Sequence, residues 1–234
     1  AQKKIEGRNF GIRKSVLQYD DVMNRQRELI YRQRNQVLDG EDLHKDILKM
    51  MEDLITSTVN VYLSDQDERD TWNMVGLKEY FLGWLIDDED LIFTNDELRN
   101  VSREDVTNAL NEKCGEIYQA KEEEYGSDVL REVERAILLK VVDTKWMAHI
   151  DDMEELKRGI GLRSYGQKNP VLEYRYEGFE MFDAMVESIR EDTVRALLTI
   201  RLQRNEPPKR EQVVEIDAPN AGAGDGSFSE QAKS

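Results

Sequence analysis

Along the first forty residues, Val16, Met23, Ile30 and Val37 recur every seven positions, and Ile12 and Tyr19 fall between them at the offset of a second seam. A heptad-like stripe of this kind predicts one long helix. Neither Gly nor Pro occurs from Ile12 to Asp39, so that helix would run ~40 Å at about 1.5 Å per residue. Its second seam turns polar at Gln26 and Gln33. The pattern suits either a plain coiled-coil strand or a scaffold whose two halves meet different partners. Leu38-Asp39-Gly40 stops it.

A second helix follows with Leu43, Ile47, Met51, Leu54, Ile55, Thr58 and Tyr62 on one face. The acidic connection 64–71 leads to Trp72, Tyr80, Phe81, Trp84 and Leu85, which supply local bulk. Ser102 and Asp105 form the pattern of a capping box, opening a helix that turns Val106, Leu110, Cys114 and Ile117 inward. Ser127 can cap the next helix, predicted to run to Arg158. It carries two apolar stripes: Leu130, Val133, Ile137, Val141 and Ala148, then Leu139, Val142, Trp146, Ile150, Met153 and Leu156. A helix apolar on two sides is packed between two neighbours. Gly159 and Gly161 are expected to end it and to open a loop of about a dozen residues reaching Pro170. A last helix, with Phe179, Phe182, Val186, Ile189, Leu197 and Ile200 inward, returns antiparallel to it. From Asn205 onward, Pro207-Pro208 and a run of Ala, Gly and Ser read as a disordered tail.

Composition strengthens the helical reading. Of 234 residues only 14 are Gly and 4 Pro, and Pro170 is the one proline before residue 206. Few stretches alternate in the manner of a strand. The predicted class is all-α: a long helix packed with an antiparallel hairpin, plus a separate small helical lobe. Charge marks the divisions. Residues 1–38 carry 9 basic and 4 acidic groups, whereas 39–126 carry 8 and 24. The boundaries expected are therefore 1–38 (long helix), 39–126 (acidic lobe), 127–204 (hairpin) and 205–234 (tail). A net charge of −16 argues against nucleic acid as a partner, because phosphate binding needs a basic face. One cysteine, Cys114, excludes an internal disulfide framework. The opening Ala1-Gln-Lys-Lys reads like the inside of a helix, as expected of a piece of something longer.

Candidate chemistry is sparse. Gly159-Ile160-Gly161 lacks the third glycine and the Lys-Ser/Thr pair of a phosphate loop. Cys114 lies on an inward helix face, the place of a structural thiol rather than a nucleophile. His149 with Asp151 or Asp152 gives at most two metal ligands, too few to hold an ion. The pairs Asp20-Asp21 and Asp151-Asp152 are sequence neighbours that point to different helix sectors, so neither forms a facing acid and base. The residues alone describe a helical interaction module.

Two stretches are more specific. One runs Ala1-Gln-Lys-Lys-Ile-Glu-Gly-Arg-Asn-Phe10 through Arg13-Lys14 to Tyr19-Asp20-Asp21-Val22 and Gln26-Arg27. The other comprises Trp146-Met-Ala-His149, Gly159-Ile160-Gly-Leu162-Arg163-Ser-Tyr165-Gly-Gln167-Lys168-Asn-Pro170, Glu173-Tyr174 and Phe179-Glu-Met-Phe182. Both resemble the C-terminal half of the SecA family, the ATP-driven motors of bacterial protein export, over residues 1 to about 203. The resemblance implies that 1–38 is the long helix of the helical scaffold domain, 39–126 the helical wing, and 127–203 the two-helix finger. It implies as partners the family's nucleotide-binding domains, a SecY-type channel and preproteins, with a place in the cytoplasm and on the inner face of the plasma membrane. In that family the finger loop stands at the channel entrance. By that likeness Tyr165 and Gln167 would touch polypeptide, and Arg163 and Lys168 would dock on the channel. Trp146, His149, Tyr19 and Asp21 would take part in packing that restrains ATP hydrolysis. ATP and magnesium would belong to motor domains outside this sequence, so no cofactor is expected here. The family's terminal zinc motif is not carried over, because the tail to Ser234 has neither Cys nor His.

Overall fold

The computed structural model describes residues 2–39, 43–64, 72–91, 101–163 and 169–202, without the side chains of 2–13, 15 and 161–163. Six helices are found among them: α1 (Gln2–Leu38), α2 (His44–Tyr62), α3 (Met74–Phe81), α4 (Arg103–Tyr125), α5 (Ser127–Arg163) and α6 (Pro170–Thr199). No named strand occurs among the described residues; one isolated bridge joins Leu82 and Ile86. The all-α expectation holds. Residues 1–201 form one compact unit, and 202–234 fall in a second.

Helix boundaries follow local chemistry. At α4 the Ser102 side chain accepts from the Asp105 amide while Asp105 reaches back to the Ser102 amide, the reciprocal capping box that the sequence announces. Asn169 caps α6 by accepting from the Val171 amide at 3.1 Å, with Pro170 in the first turn. Gly126 ends α4 at φ 87°, in the left-handed region where a side chain would be strained. The next helix begins at once, so Ser127 lies inside α5 rather than capping it.

The hairpin differs from expectation at its tip. Helix α5 does not stop at Arg158 but passes through Gly159 and Gly161 to Arg163. Ile160, wholly buried, lies in a cluster with Met153 and Tyr174. That burial outweighs the roughly 1 kcal/mol by which each glycine disfavours a helix. The connection shrinks accordingly, and its residues 164–168 lie outside the described set.

Buried residues of α1 (Ile30, Val37), α2 (Ile47, Met51, Ile55), α3 (Leu77, Phe81), α4 (Leu110, Cys114), α5 (Leu130, Leu138, Trp146) and α6 (Ile189, Val194, Leu197) join in one hydrophobic cluster. Helix α1 packs on both arms of the hairpin. Some inward assignments fail: Phe179 is 63% exposed, Val16 of the α1 seam 43%, and Ala148 of the first α5 stripe is exposed. The inner face of α6 is set instead by Tyr174, Gly178 and Met185, and Phe179 is rotated about 100° from Gly178.

Candidate functional site at the three-helix junction

The long helix meets the hairpin at a buried polar junction. Gln26, 6% exposed, stands at the polar position of the second seam of α1. Its Nε2 donates to the carbonyl of Gly178 on α6 at 2.9 Å. Its Oε1 lies 2.9 Å from Nε2 of His149 on α5. Because the amide nitrogen is committed to a carbonyl, the amide oxygen must accept, so His149 carries its proton on Nε2. One side chain of α1 thereby ties both arms of the hairpin. Gly178 makes room for this: a Cβ there would meet Met153 Cε of α5 at 2.7 Å.

Aromatic packing closes the junction. The His149 ring lies 5.7 Å from Trp146 and 5.8 Å from Phe182, centroid to centroid. Trp146 and His149 are both buried. Burial pushes the His149 pKa below its ordinary value, against an opposing pull from Asp152. The imidazole is therefore neutral at physiological pH. Nearer the tip, Tyr19 meets Tyr174 edge-on at 4.8 Å and 87°. Burial, helped by Asp20, raises the Tyr174 phenol to about 12. Lys157 reaches Asp20 at 3.6 Å and lies 5.5 Å from the centre of the Tyr19 ring. Toward the other end, Arg34 of α1 grips Asp143 of α5 with both arms of its fork, at 2.8 and 3.3 Å.

These placements sort the residues singled out in the sequence. Trp146, His149 and Tyr19 lie in the contact between α1 and the hairpin. Asp21 faces solvent and pairs with Arg25 of its own helix at 3.1 Å. Arg163 is the last residue of α5, its side chain outside the described set, as are Tyr165, Gln167 and Lys168 altogether. Sequence reasoning gave Gln26 no role, although a polar residue on a heptad seam is a recognised signal of register. It also missed Glu134, which is fully buried on α5. Nothing at the junction is arranged for bond-making. Its Gln26, His149 and Gly178 groups are neutral and bonded to one another, which suits holding rather than reacting; the buried Trp146 indole N–H has no acceptor among the described residues. No described helix is long and apolar enough to cross a membrane.

Comparison with known proteins agrees with this architecture. A family model described as the SecA Wing and Scaffold domain matches residues 1–201. The protein translocase subunit SecA of Clostridium perfringens is 48% identical over 238 residues, which cover 100% of this chain and 27% of that protein. The subunit of the same name from Acetivibrio thermocellus is 45% identical over 215 residues, 92% of this chain and 24% of that protein. SecA 1 of Alkaliphilus metalliredigens is 46% identical over 228 residues, 97% of this chain and 25% of its own length. The chain thus spans about a quarter of the length of these relatives.

Proposed function

This chain belongs to the SecA wing and scaffold family, and on that premise we propose that it is the helical frame of a protein translocase. In this reading α1 is the strut on which the nucleotide-binding domains sit, and the α5–α6 hairpin is the finger that meets preprotein and a SecY-type channel. ATP and magnesium belong to the motor domains. The frame itself holds no nucleotide and works at the cytoplasmic face of the plasma membrane, as a peripheral partner of the channel. The observation that carries the reading is the Gln26 amide, which ties α1 to both arms of the finger through His149 and Gly178. A movement of the strut then passes directly to the finger.

Within this reading Tyr165 contacts polypeptide, helped by Gln167. A ring with a hydroxyl can lie on apolar chain and still bond backbone without demanding a sequence. Arg163 and Lys168 are cations in an acidic chain and suit acidic groups at a channel mouth. Trp146, His149 and Tyr19, with Asp21 on the solvent side, form the packing that restrains hydrolysis. The test is a chimera in which this chain replaces the matching segment of the C. perfringens subunit, assayed for ATP hydrolysis and for preprotein transport into channel-bearing vesicles. The frame reading predicts transport by the parent chimera, near-normal hydrolysis with lost transport for Tyr165→Ala, and raised basal hydrolysis for Trp146→Ala. A Tyr165→Ala chimera that transports normally contradicts the fingertip assignment.

A further inference from the structure

A second buried polar cluster lies where the chain turns from α4 into α5. The turn is a single residue, Gly126. Across it Arg131 of α5 reaches back. Its NH1 donates to the Tyr118 hydroxyl of α4 at 2.7 Å and to Oε1 of Glu134, and its NH2 donates to Glu122 of α4. The Tyr118 hydroxyl donates in turn to the same Glu134 oxygen. From α2, His44 stacks on the Tyr118 ring at 5.8 Å and 25°, with Nδ1 3.3 Å from the hydroxyl. Glu134 is 0% exposed, and its other oxygen, Oε2, is buried without a hydrogen-bond partner among the described residues. Three helices therefore converge on one buried carboxylate, whose partners are Arg131 of its own helix, the Tyr118 hydroxyl of α4 and, at 3.7 Å, Nδ1 of His44 of α2.

The neighbouring contacts between these helices are apolar, through Leu110, Cys114, Leu130 and Leu138. Apolar contacts are non-directional and change little when one helix slides or tilts on another. The Arg131 fork is rigid and planar. A buried carboxylate is tolerated only while its partners stay in place. Tilting α4 on α5 parts Tyr118 and Glu122 from Arg131 and takes the Tyr118 hydroxyl from Glu134, leaving the buried carboxylate with Arg131 of its own helix, so the energy rises steeply with angle. We propose that the Arg131–Glu134–Tyr118 cluster is an angular latch at the Gly126 elbow. It, rather than the apolar core, fixes the angle at which α4 and α2 sit on α5. The latch goes beyond the translocation reading and does not depend on it. The leverage is large: α4 is about 35 Å long at 1.5 Å per residue, so a tilt of about 10° at the elbow moves its far end by roughly 6 Å.

The test uses the whole chain with nitroxide labels on Asn108→Cys of α4 and Met147→Cys of α5, both exposed. Cys114 stays unlabelled at neutral pH, because it is buried and its thiol pKa is pushed up to about 12. Pulsed dipolar spectroscopy on the parent is expected to give one narrow distance peak. Arg131→Met should shift that peak by several ångströms or at least double its width while helical circular dichroism is retained. Exchanging the pair for apolar groups, Arg131→Met with Glu134→Met, removes the buried charge and should lose the narrow peak as well, even where the melting temperature recovers. A narrow, unshifted peak in the double variant overturns the latch, because apolar packing then suffices to set the angle. If the Arg131 variants do not fold, Glu122→Gln at the part-exposed rim decides the question: a broadened peak supports the latch, an unchanged one overturns it.

Discussion

Two buried polar clusters, at Glu134 and His149, lie 15 residues apart along α5, and they solve the same problem in opposite ways. At His149 the hydrogen-bonded groups are neutral and the amide of Gln26 spans three helices with two hydrogen bonds, while the buried Trp146 indole N–H beside them has no acceptor among the described residues. At Glu134 the groups are charged, the contacts fan out from one guanidinium, and a carboxylate oxygen is left bare. Neutral hydrogen bonds in a packed site contribute about 1 kcal/mol each and penalise misplacement mildly. A buried ion pair contributes little net stability but penalises misplacement severely. The first cluster thus suits a joint that stays closed, and the second suits an elbow whose angle matters.

The largest effects should come from removing what fills each site. Trp146→Ala empties the aromatic wall beside His149 and should cost about 3–5 kcal/mol, read as a lower midpoint in urea. Arg131→Met leaves the buried Glu134 carboxyl without its cation. It should cost about 3 kcal/mol, the lower end of the range for broken buried pairs, because Arg131 is itself about a quarter exposed. A loss for Arg131→Met exceeding that of Trp146→Ala would mean the charged cluster carries stability as well as angle. Gln26→Leu strips two partners from the neutral junction and should cost about 1–3 kcal/mol by the same denaturation.

Titration sharpens the contrast. Burial depresses His149, so between its folded value and the ordinary 6.5 the unfolded chain binds the proton more readily. Stability should therefore be flat above pH of about 6.5 and fall as pH drops below it. Melting curves from pH 7.5 to 5.5 should show that fall, and it should flatten in His149→Gln. A parent whose melting temperature is level across this window would refute the neutral buried imidazole.

The smallest expected effect runs the other way. A Cβ at Gly159 meets nothing within 4 Å, so Gly159→Ala should raise stability by up to about 1 kcal/mol and slow amide exchange at the end of α5. Gly178→Ala, where a Cβ meets Met153 at 2.7 Å, should not.

That pair of glycines also shows how far the sequence could be read. Composition and spacing revealed five of the six described helices, all but α3, with the Ser102–Asp105 capping box and the Pro170 start, because these depend on neighbours in the chain. Gly159 read as a stop, since the residue that carries α5 through it, Ile160, is held by Tyr174 on another helix. Phe179 read as core because a stripe of large apolar residues does not say which of its edges meets solvent. Glu134 escaped notice because a carboxylate inside an apolar stripe makes sense only once Arg131 and Tyr118 are seen beside it. The polar seam position of Gln26 was visible, but its two partners lie 123 and 152 positions away. The fingertip residues Tyr165, Gln167 and Lys168 rest on family likeness alone.

The central claim is that Gln26 couples the long helix to the hairpin through His149, and a double-mutant cycle measures that coupling directly. Gln26→Leu, His149→Leu and the double variant would be unfolded in urea alongside the parent. The account predicts an interaction energy of about 1–2 kcal/mol, because either single variant strands the other's buried polar group. Additive losses, agreeing within about 0.3 kcal/mol, would contradict it and leave α1 held to the hairpin by apolar packing alone.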